Sequence, residues 1–314
     1  MVSQQIGRLV PHDGYILTAL DPVTGAGMFY AKRYWYSPTA ARRFLVDDEL
    51  GVDPVPFHRL VSGPNKAGVL STKEPNARLS AGRCEVMAGE GVGSEMRIAL
   101  VDRGIAWGSL GLVRGLDARP FSVAEAGLAQ NLVGPIFAAL KGFVTSLPCQ
   151  ASRHHTTPGV VVVGPDDPAT QTTPSAQVWL AEVAQYLPGD AFHTVLQYLA
   201  LMFRQTKITT LARIPTPRGW VALHTEPLSG GTSDQLAVTI QRAGGAILLP
   251  AIAAWHGITP REHAVIEHAL NGLSTRQIAS QLHLSPYTVN DHFKAIYRKV
   301  GVSSREELLA VMGR

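Results

Sequence analysis

"LSPYTVNDHFKAIYRKVGV", residues 284–302, decides how the end of this chain is read. It gathers Tyr287, His292, Lys294, Tyr297, Arg298 and Lys299 within about four helical turns. Metal coordination, nucleic-acid contact and a solvated helix face would all use such a set. The spacing begins to separate them. Ser285 before Pro286 reads as a helix start: a capping hydroxyl, then a residue whose missing N–H costs nothing at the first position. Val289, Phe293, Ile296 and Val300 then recur at i, i+4, i+7 and i+11, which puts them on one apolar face. Tyr287, Thr288, Asn290, Asp291, Lys294, Ala295 and Arg298 are left outward. Gly301 falls where a helix C-terminal glycine belongs.

Working outward, three more helix starts carry capping boxes: Thr259 with Glu262, Ser274 with Gln277, and Ser303 with Glu306. The predicted helices run over 260–271, 274–282, 286–300 and 304–312. Ile266, Leu270 and Leu273, then Ile278, Ala279 and Leu282, turn inward to complete a three-helix core. The short turn "HLS", 283–285, gives helix-turn-helix geometry, whose second helix can enter a major groove. Asn290 could pair with adenine and Lys294 with guanine, and Thr288 could pack on a thymine methyl. Lys299 and Arg276 are placed as phosphate neighbours. Periodicity alone fits a solvated face equally well.

Composition narrows the class. The 314 residues suffice for two or three domains of about 100–150 residues. With 46% hydrophobic and 17% charged residues, the chain has a globular composition rather than a disordered one. A net charge of +4 permits a polyanionic partner without demanding one. Cys84 and Cys149 are too few and too far apart for a disulfide framework. The N-terminus shows no basic start followed by an apolar core. The longest apolar run, 246–255, is too short to span a bilayer and contains Pro250. A cytoplasmic chain with no membrane partner is expected.

Polar, turn-rich residues 146–159 and the junction near 253–262 divide the chain into segments 1–150, 160–255 and 256–314. In the first, "SEMRIALV" and "GIAWGSLGLVR" read as strands joined by the turn "DRG". Ser37 with Pro38 starts a helix. Ser122 with Glu125 starts another, and Leu128, Leu132, Ile136, Leu140 and Phe143 are expected to form its apolar face. The middle segment has a strand, "GVVVV", two helices, three strand-like runs and a closing apolar helix. Both segments are expected to be α+β, and no internal repeat is visible in the sequence.

Residues 258–309 resemble the LuxR/GerE-type helix-turn-helix of bacterial transcription regulators. The matching pieces are "TPRE", "GLSTRQIA", "L-x-L-S-x-x-TV", His292 and "IYRKVGV" followed by a Ser-capped helix. The resemblance implies an all-α four-helix domain that binds double-stranded DNA as a homodimer, with 286–300 in the major groove. It gives the candidate DNA-binding set Arg276, Ser285, Tyr287, Thr288, Asn290, Asp291, Lys294, Arg298 and Lys299. The last helix, with Leu308, Leu309, Val311 and Met312, is the implied dimer contact. Asn290 replaces the lysine common after "TV" in the family, and Asp291 adds a repelling charge. Upstream, "WGSLGLVRGLDARPFSVAEAGLAQNLV" looks like the end of a GAF domain, and the middle segment is similar to a PAS-like fold. Regulators of actinobacterial type join such units, which implies a small-molecule effector and RNA polymerase as further partners.

Sharper readings lack residues. After "VVVGPDD" a phosphoacceptor domain would need a later strand-end Asp and a Lys; Asp190 and Lys207 are misplaced for this. "GPNKAG" is not a P-loop. His283 with His292, and His154 with His155, have no completing Cys or carboxylate, so no metal or other cofactor is expected. Cys84 reads as a small buried hydrophobe before a redox sensor. Trp107 and Trp220 read as core before pocket lining. The effector residues are unknown from sequence. No catalytic constellation stands out, so an enzyme with a DNA-binding tail is a remote alternative. A non-sensing regulator using 1–255 as a dimer scaffold is the nearer one.

Overall fold

The computed structural model describes residues 2–49, 51–73, 81–146, 157–164, 171–185, 191–207, 209–229 and 235–312. Cys149, His154, His155, Asp166, Asp167 and Asp190 lie outside them. The chain forms two compact units. One comprises Met1–Asp21, Gly25–Leu140 and Leu187–Thr210; the other comprises Pro22–Thr24, Lys141–Tyr186 and Leu211–Arg314.

The first unit opens with α1 (Val2–Leu9), β1 (Gly14–Leu20), β2 (Gly27–Arg33), α2 (Pro38–Glu49), α3 (Phe57–Ser62), β3 (Ala67–Ser71) and α4 (Ala81–Gly89). It continues with β4 (Val92–Asp102), β5 (Ile105–Gly115), α5 (Val123–Gln130) and α6 (Val133–Ser146), the last of which runs on past the unit boundary. The strands make an antiparallel sheet in the order β2-β1-β5-β4-β3. The "DRG" turn is a tight hairpin: Arg103 and Gly104 take φ of 50° and 81°, the left-handed pair whose twist matches the strands it joins. β4 and β5 are buried along most of their length, because both faces of the sheet are covered. The Ser37 hydroxyl accepts from Ala40 N at the start of α2, as the Ser-Pro signal predicts.

Two expectations about 122–143 change. Ser122 and Glu125 do form the reciprocal capping box, but the helix is not continuous. It breaks at residues 131–132 and bends by 46°. Pro135 supplies the cause: it has no N–H to give the carbonyl four residues back, and its ring crowds that carbonyl. Leu132, Ile136, Leu140 and Val144 are buried at four-residue steps, while Leu128, before the bend, and Phe143, off that face, are exposed.

The middle stretch of sequence contributes to both units. β6 (Gly159–Val163), β7 (Gln171–Thr172) and α7 (Pro174–Ala184) belong to the second. α8 (Ala191–Thr206) belongs to the first, where its buried Val195, Leu196 and Leu199 find cover. β8 (Leu211–Thr216), β9 (Gly219–Pro227) and β10 (Leu236–Arg242) return to the second, in the antiparallel order β7-β6-β10-β9-β8. Counted within each sheet, both orders are second-first-fifth-fourth-third. The sequence shows no repeat, yet one topology is built twice.

α9 (Gly245–His256) is almost wholly apolar, contains Pro250 and ends at Gly257, whose φ is 66°. After it come α10 (Pro260–Leu270), α11 (Thr275–Gln281), α12 (Pro286–Val300) and α13 (Arg305–Val311). Val265, Ile266, Ala269, Ile278, Ala279, Val289, Phe293, Ile296 and Leu308 form their common core. α13 starts one residue later than expected: Ser304, not Ser303, is the cap and accepts from Glu307 N. Glu307 instead accepts from the backbone N–H of Ser303. Met312 is fully buried, and its carbonyl accepts from Gly245 N at the head of α9. The apolar surplus on the last helix is therefore partly used within the chain. Among the described residues no single helix is long and apolar enough to cross a membrane; only α5 and α6 taken together, across their bend, reach that length and apolarity.

Candidate nucleic-acid interface

The geometry of α11 and α12 is set by their ends. Ser274 and Gln277 close a capping box on α11. The turn then passes through His283, a non-glycine residue at φ 55°, and Leu284 N donates back to Ala279 O. Arg261 of α10 donates to Leu282 O at 2.7 Å, which pins the turn from outside. Ser285 caps α12 by accepting from Thr288 N, and its hydroxyl lies 2.9 Å from the Thr288 hydroxyl. Thr288 is thus already engaged at the cap. Gly301 closes the helix at φ 78°.

Burial splits α12 as the spacing predicts. Val289, Phe293 and Ile296 are buried, and Val300 is half-buried. Phe293 stacks on Tyr297, and the Arg305 guanidinium of α13 lies over the Phe293 ring. On the other side Tyr287, Asn290, Asp291, Lys294 and Arg298 are all exposed; Asn290 and Asp291 each stand three or four residues from both Tyr287 and Lys294, and Arg298 follows four on. They make one continuous stripe. Arg276 and Ser285 are exposed next to it in sequence, on α11 and at the turn. The nine candidate residues therefore lie on α11, the turn and α12.

Their electrostatics are uneven. Lys294 Nζ is 3.0 Å from Asp291 Oδ1 and 5.8 Å from the centre of the Tyr287 ring. The Asp291 hydrogen bond and charge hold the Lys294 ammonium above its usual range. Lys299 points elsewhere: its Nζ is 2.6 Å from Glu262 Oε2, within the capping box of α10. Burial alone would raise Glu262, but Lys299 and the Thr259 N–H and hydroxyl outweigh it and hold the carboxyl below its usual range. His256 Nδ1 is 2.9 Å from Lys299 O, which ties the end of α9 to the end of α12. Burial keeps that imidazole below the ordinary histidine value, against the Lys299 carbonyl and with the help of the Lys141 charge. Residues 256–312 contain six basic residues (Arg261, Arg276, Lys294, Arg298, Lys299, Arg305) and five acidic ones (Glu262, Glu267, Asp291, Glu306, Glu307). Among the described residues, Arg276 and Arg298 have no acidic partner. His283 is exposed and His292 half-buried, and no group of three or more His, Cys, Asp or Glu among the described residues could hold a metal.

The stripe, the turn and the sealed core match a known domain. The family model of bacterial regulatory proteins, luxR family, covers residues 256–312. An HTH-type transcriptional regulator of Mycobacterium tuberculosis is 36% identical over 78 residues, which is 25% of this chain and 9% of that one. The transcriptional regulatory protein UhpA of Escherichia coli is 37% identical over 78 residues, 23% of this chain and 40% of that one. The chain thus spans well under half of the curated relatives it matches. Among solved structures, Escherichia coli SdiA aligns over 99% of this chain and 87% of its own at 13% identity, with a TM-score of 0.29. A GAF domain/HD domain protein from Geobacter sulfurreducens aligns over 45% of this chain and 88% of its own at 16% identity, with a TM-score of 0.31. Residues 256–312 are a LuxR-family helix-turn-helix DNA-binding domain.

Proposed function

We propose that the whole chain is a transcription regulator that binds double-stranded DNA as a homodimer, with α12 in the major groove. The observation that carries this is the exposed stripe Tyr287–Asn290–Asp291–Lys294–Arg298, set opposite a sealed core. Asn290 and Lys294 read base edges, while Tyr287 and the Ser285–Thr288 cap sit at the end of α12 nearest the groove floor. Arg276 and Arg298 hold phosphates. Asp291 moderates Lys294, and Lys299, already held by Glu262, contributes least. Two such domains must meet half-sites about 34–36 Å apart.

Within this reading 1–150 is a GAF-like and 160–255 a PAS-like region, together setting the geometry of the DNA-binding pair in response to a small-molecule effector. α8 is the exception, since it serves the first unit. RNA polymerase is the partner through which bound regulator acts, the compartment is the cytoplasm, and the chain has no catalytic role. The rival reading makes 1–255 a dimer scaffold only.

Lys294→Ala tests the reading edge. Loss of a base contact weakens specific binding roughly 5- to 150-fold and relaxes one position of the site. A phosphate role gives an even loss over all sequences and a log–log salt slope smaller by about 1. Unchanged binding would mean that α12 does not face DNA. Comparing DNA affinity of the full chain with and without cell extract, beside that of 256–314, separates sensor from scaffold.

A further inference from the structure

The first unit contains a cavity of about 300 Å³, at the lower end of the range for ligand sites. β1, β2 and β5 form one side, and Val195 and Tyr198 of α8 close another. Its walls are apolar and aromatic, with Trp35, Tyr36, Phe44 and Phe57 prominent. Four charged residues also line it: Asp53, Arg83, Glu95 and Arg97.

The four form a closed ionic quartet. Arg83 is 3.2 Å from Asp53 and 3.3 Å from Glu95. Arg97 is 2.5 Å from Asp53 and 2.7 Å from Glu95. Every carboxylate oxygen accepts at least one hydrogen bond. Asp53 also takes the Val55 N–H, and Glu95 also takes the Tyr36 hydroxyl. Burial pushes the Glu95 carboxyl up, against the Arg83 charge and the Tyr36 hydroxyl, while its three donors serve it as a carboxylate. The donors are not fully used. Arg83 is only 3% exposed, yet its Nε has no hydrogen-bond partner; its guanidinium lies over Phe44, 3.8 Å from the ring centre. Arg97 gives Nε and Nη1 to Glu95, Asp53 and Val55 O, leaving Nη2 without an acceptor among the described residues. Two arginines against two carboxylates leave no net charge for an ion to neutralise. A carboxylate ligand would meet Asp53 and Glu95 as well as the arginines. What the quartet lacks is an uncharged oxygen.

We propose that this cavity binds an uncharged, mainly apolar small molecule that presents a carbonyl oxygen to Arg97 and its aromatic or alkyl body to Trp35, Phe44 and Phe57. An engineered cavity of about 150 Å³ takes benzene, so this one takes a molecule of roughly a dozen non-hydrogen atoms. The assignment rests on the effector-responsive reading for its biological role, but binding itself is measured without DNA.

The test uses the full chain and three compounds of similar size: butyrophenone, butylbenzene and 4-phenylbutanoate. Binding is followed by tryptophan emission, since Trp35 lines the cavity. Butyrophenone should saturate and bind at least about tenfold tighter than either other compound, a difference of about 1.4 kcal/mol. Arg97→Gln should bring butyrophenone down to the level of butylbenzene. Gly27→Val is the second variant: Gly27 lines the cavity, and a Cβ there meets only Tyr198, at 4.0 Å. It should weaken both neutral compounds in a folded protein. Tightest binding by 4-phenylbutanoate overturns the uncharged assignment, and equal binding by butylbenzene overturns the carbonyl. No saturable binding by any of the three removes the site. Tight butyrophenone binding that leaves DNA affinity unchanged keeps the site and removes the effector reading.

Discussion

Lys299 Nζ and Glu262 Oε2 are 2.6 Å apart, and the same Glu262 carboxylate closes the capping box of α10. One carboxylate therefore caps one helix and anchors the end of another. Glu262 is nearly buried and Lys299 mostly so, which places the pair between surface bridges, near 0–1 kcal/mol, and buried ones broken from one side, about 3–5 kcal/mol. Lys299→Met should cost about 1–2 kcal/mol in denaturant unfolding. If Lys299 is structural, the variant keeps the salt dependence of DNA binding; a shallower slope would return it to the phosphate contacts.

Asp291 holds Lys294 by its side chain on the exposed face of α12. Asp291→Ala should free that ammonium and remove a negative charge facing DNA. Affinity for non-specific duplex should rise, and the log–log salt slope should steepen by up to about 1 per domain. Fluorescence anisotropy across a salt series reads both. A fall in affinity would show Asp291 making a favourable contact of its own.

Glu125 gives a pH dependence in the first unit. Burial alone would raise its carboxyl, but Arg114 and the Ser122 cap outweigh it and hold it at about 2. A depressed folded value means a contribution that is complete above the ordinary glutamate value near 4.3 and fades as pH falls towards 2. Glu125→Gln should lower stability at pH 7 and flatten the acid limb between those values. Parallel urea midpoints against pH for the two proteins would refute it.

Gly159 begins β6 under the first turn of α7. A Cβ there would lie 2.4 Å from Ala176 Cα and 2.6 Å from Ala176 N. Both are backbone atoms, so helix or strand must move. Gly159→Ala should destabilise the second unit by about 1–3 kcal/mol, the usual range for overpacking, with a matching fall in thermal midpoint. An unchanged midpoint would mean that α7 sits less tightly on the sheet.

The helix-turn-helix was legible because its signals are local. Ser274, Gln277, Ser285, Pro286 and Gly301 each act within four residues of themselves. The slip at Ser303 and Ser304 arose where two adjacent serines each have a glutamate three residues on, and Leu270, Leu273 and Leu282, expected inward, are only half-buried. What stayed hidden was long-range. Nothing near Lys299 announces a partner at Glu262, and nothing near α8 announces its place beside the first sheet. Pro135 was a visible breaker inside an otherwise periodic run, and the period alone overlooked it. The ionic quartet left a faint trace: Glu95 and Arg97 stand two apart in an apolar strand, so they share one face and have to be answered from elsewhere in the fold. Asp53 and Arg83 answer them, and no spacing rule links those positions.

The placement of α8 has a practical consequence for dissection. Its residues lie between β7–α7 and β8 in sequence, both in the second unit, while the helix itself serves the first. A fragment ending near residue 150 would lack Val195 and Tyr198, and with them one wall of the cavity. A fragment starting near 160 would carry a 16-residue helix with its apolar side uncovered. Neither piece would report on the intact protein, so limited proteolysis between the two sheets should give products that stay associated or aggregate, not two separable halves.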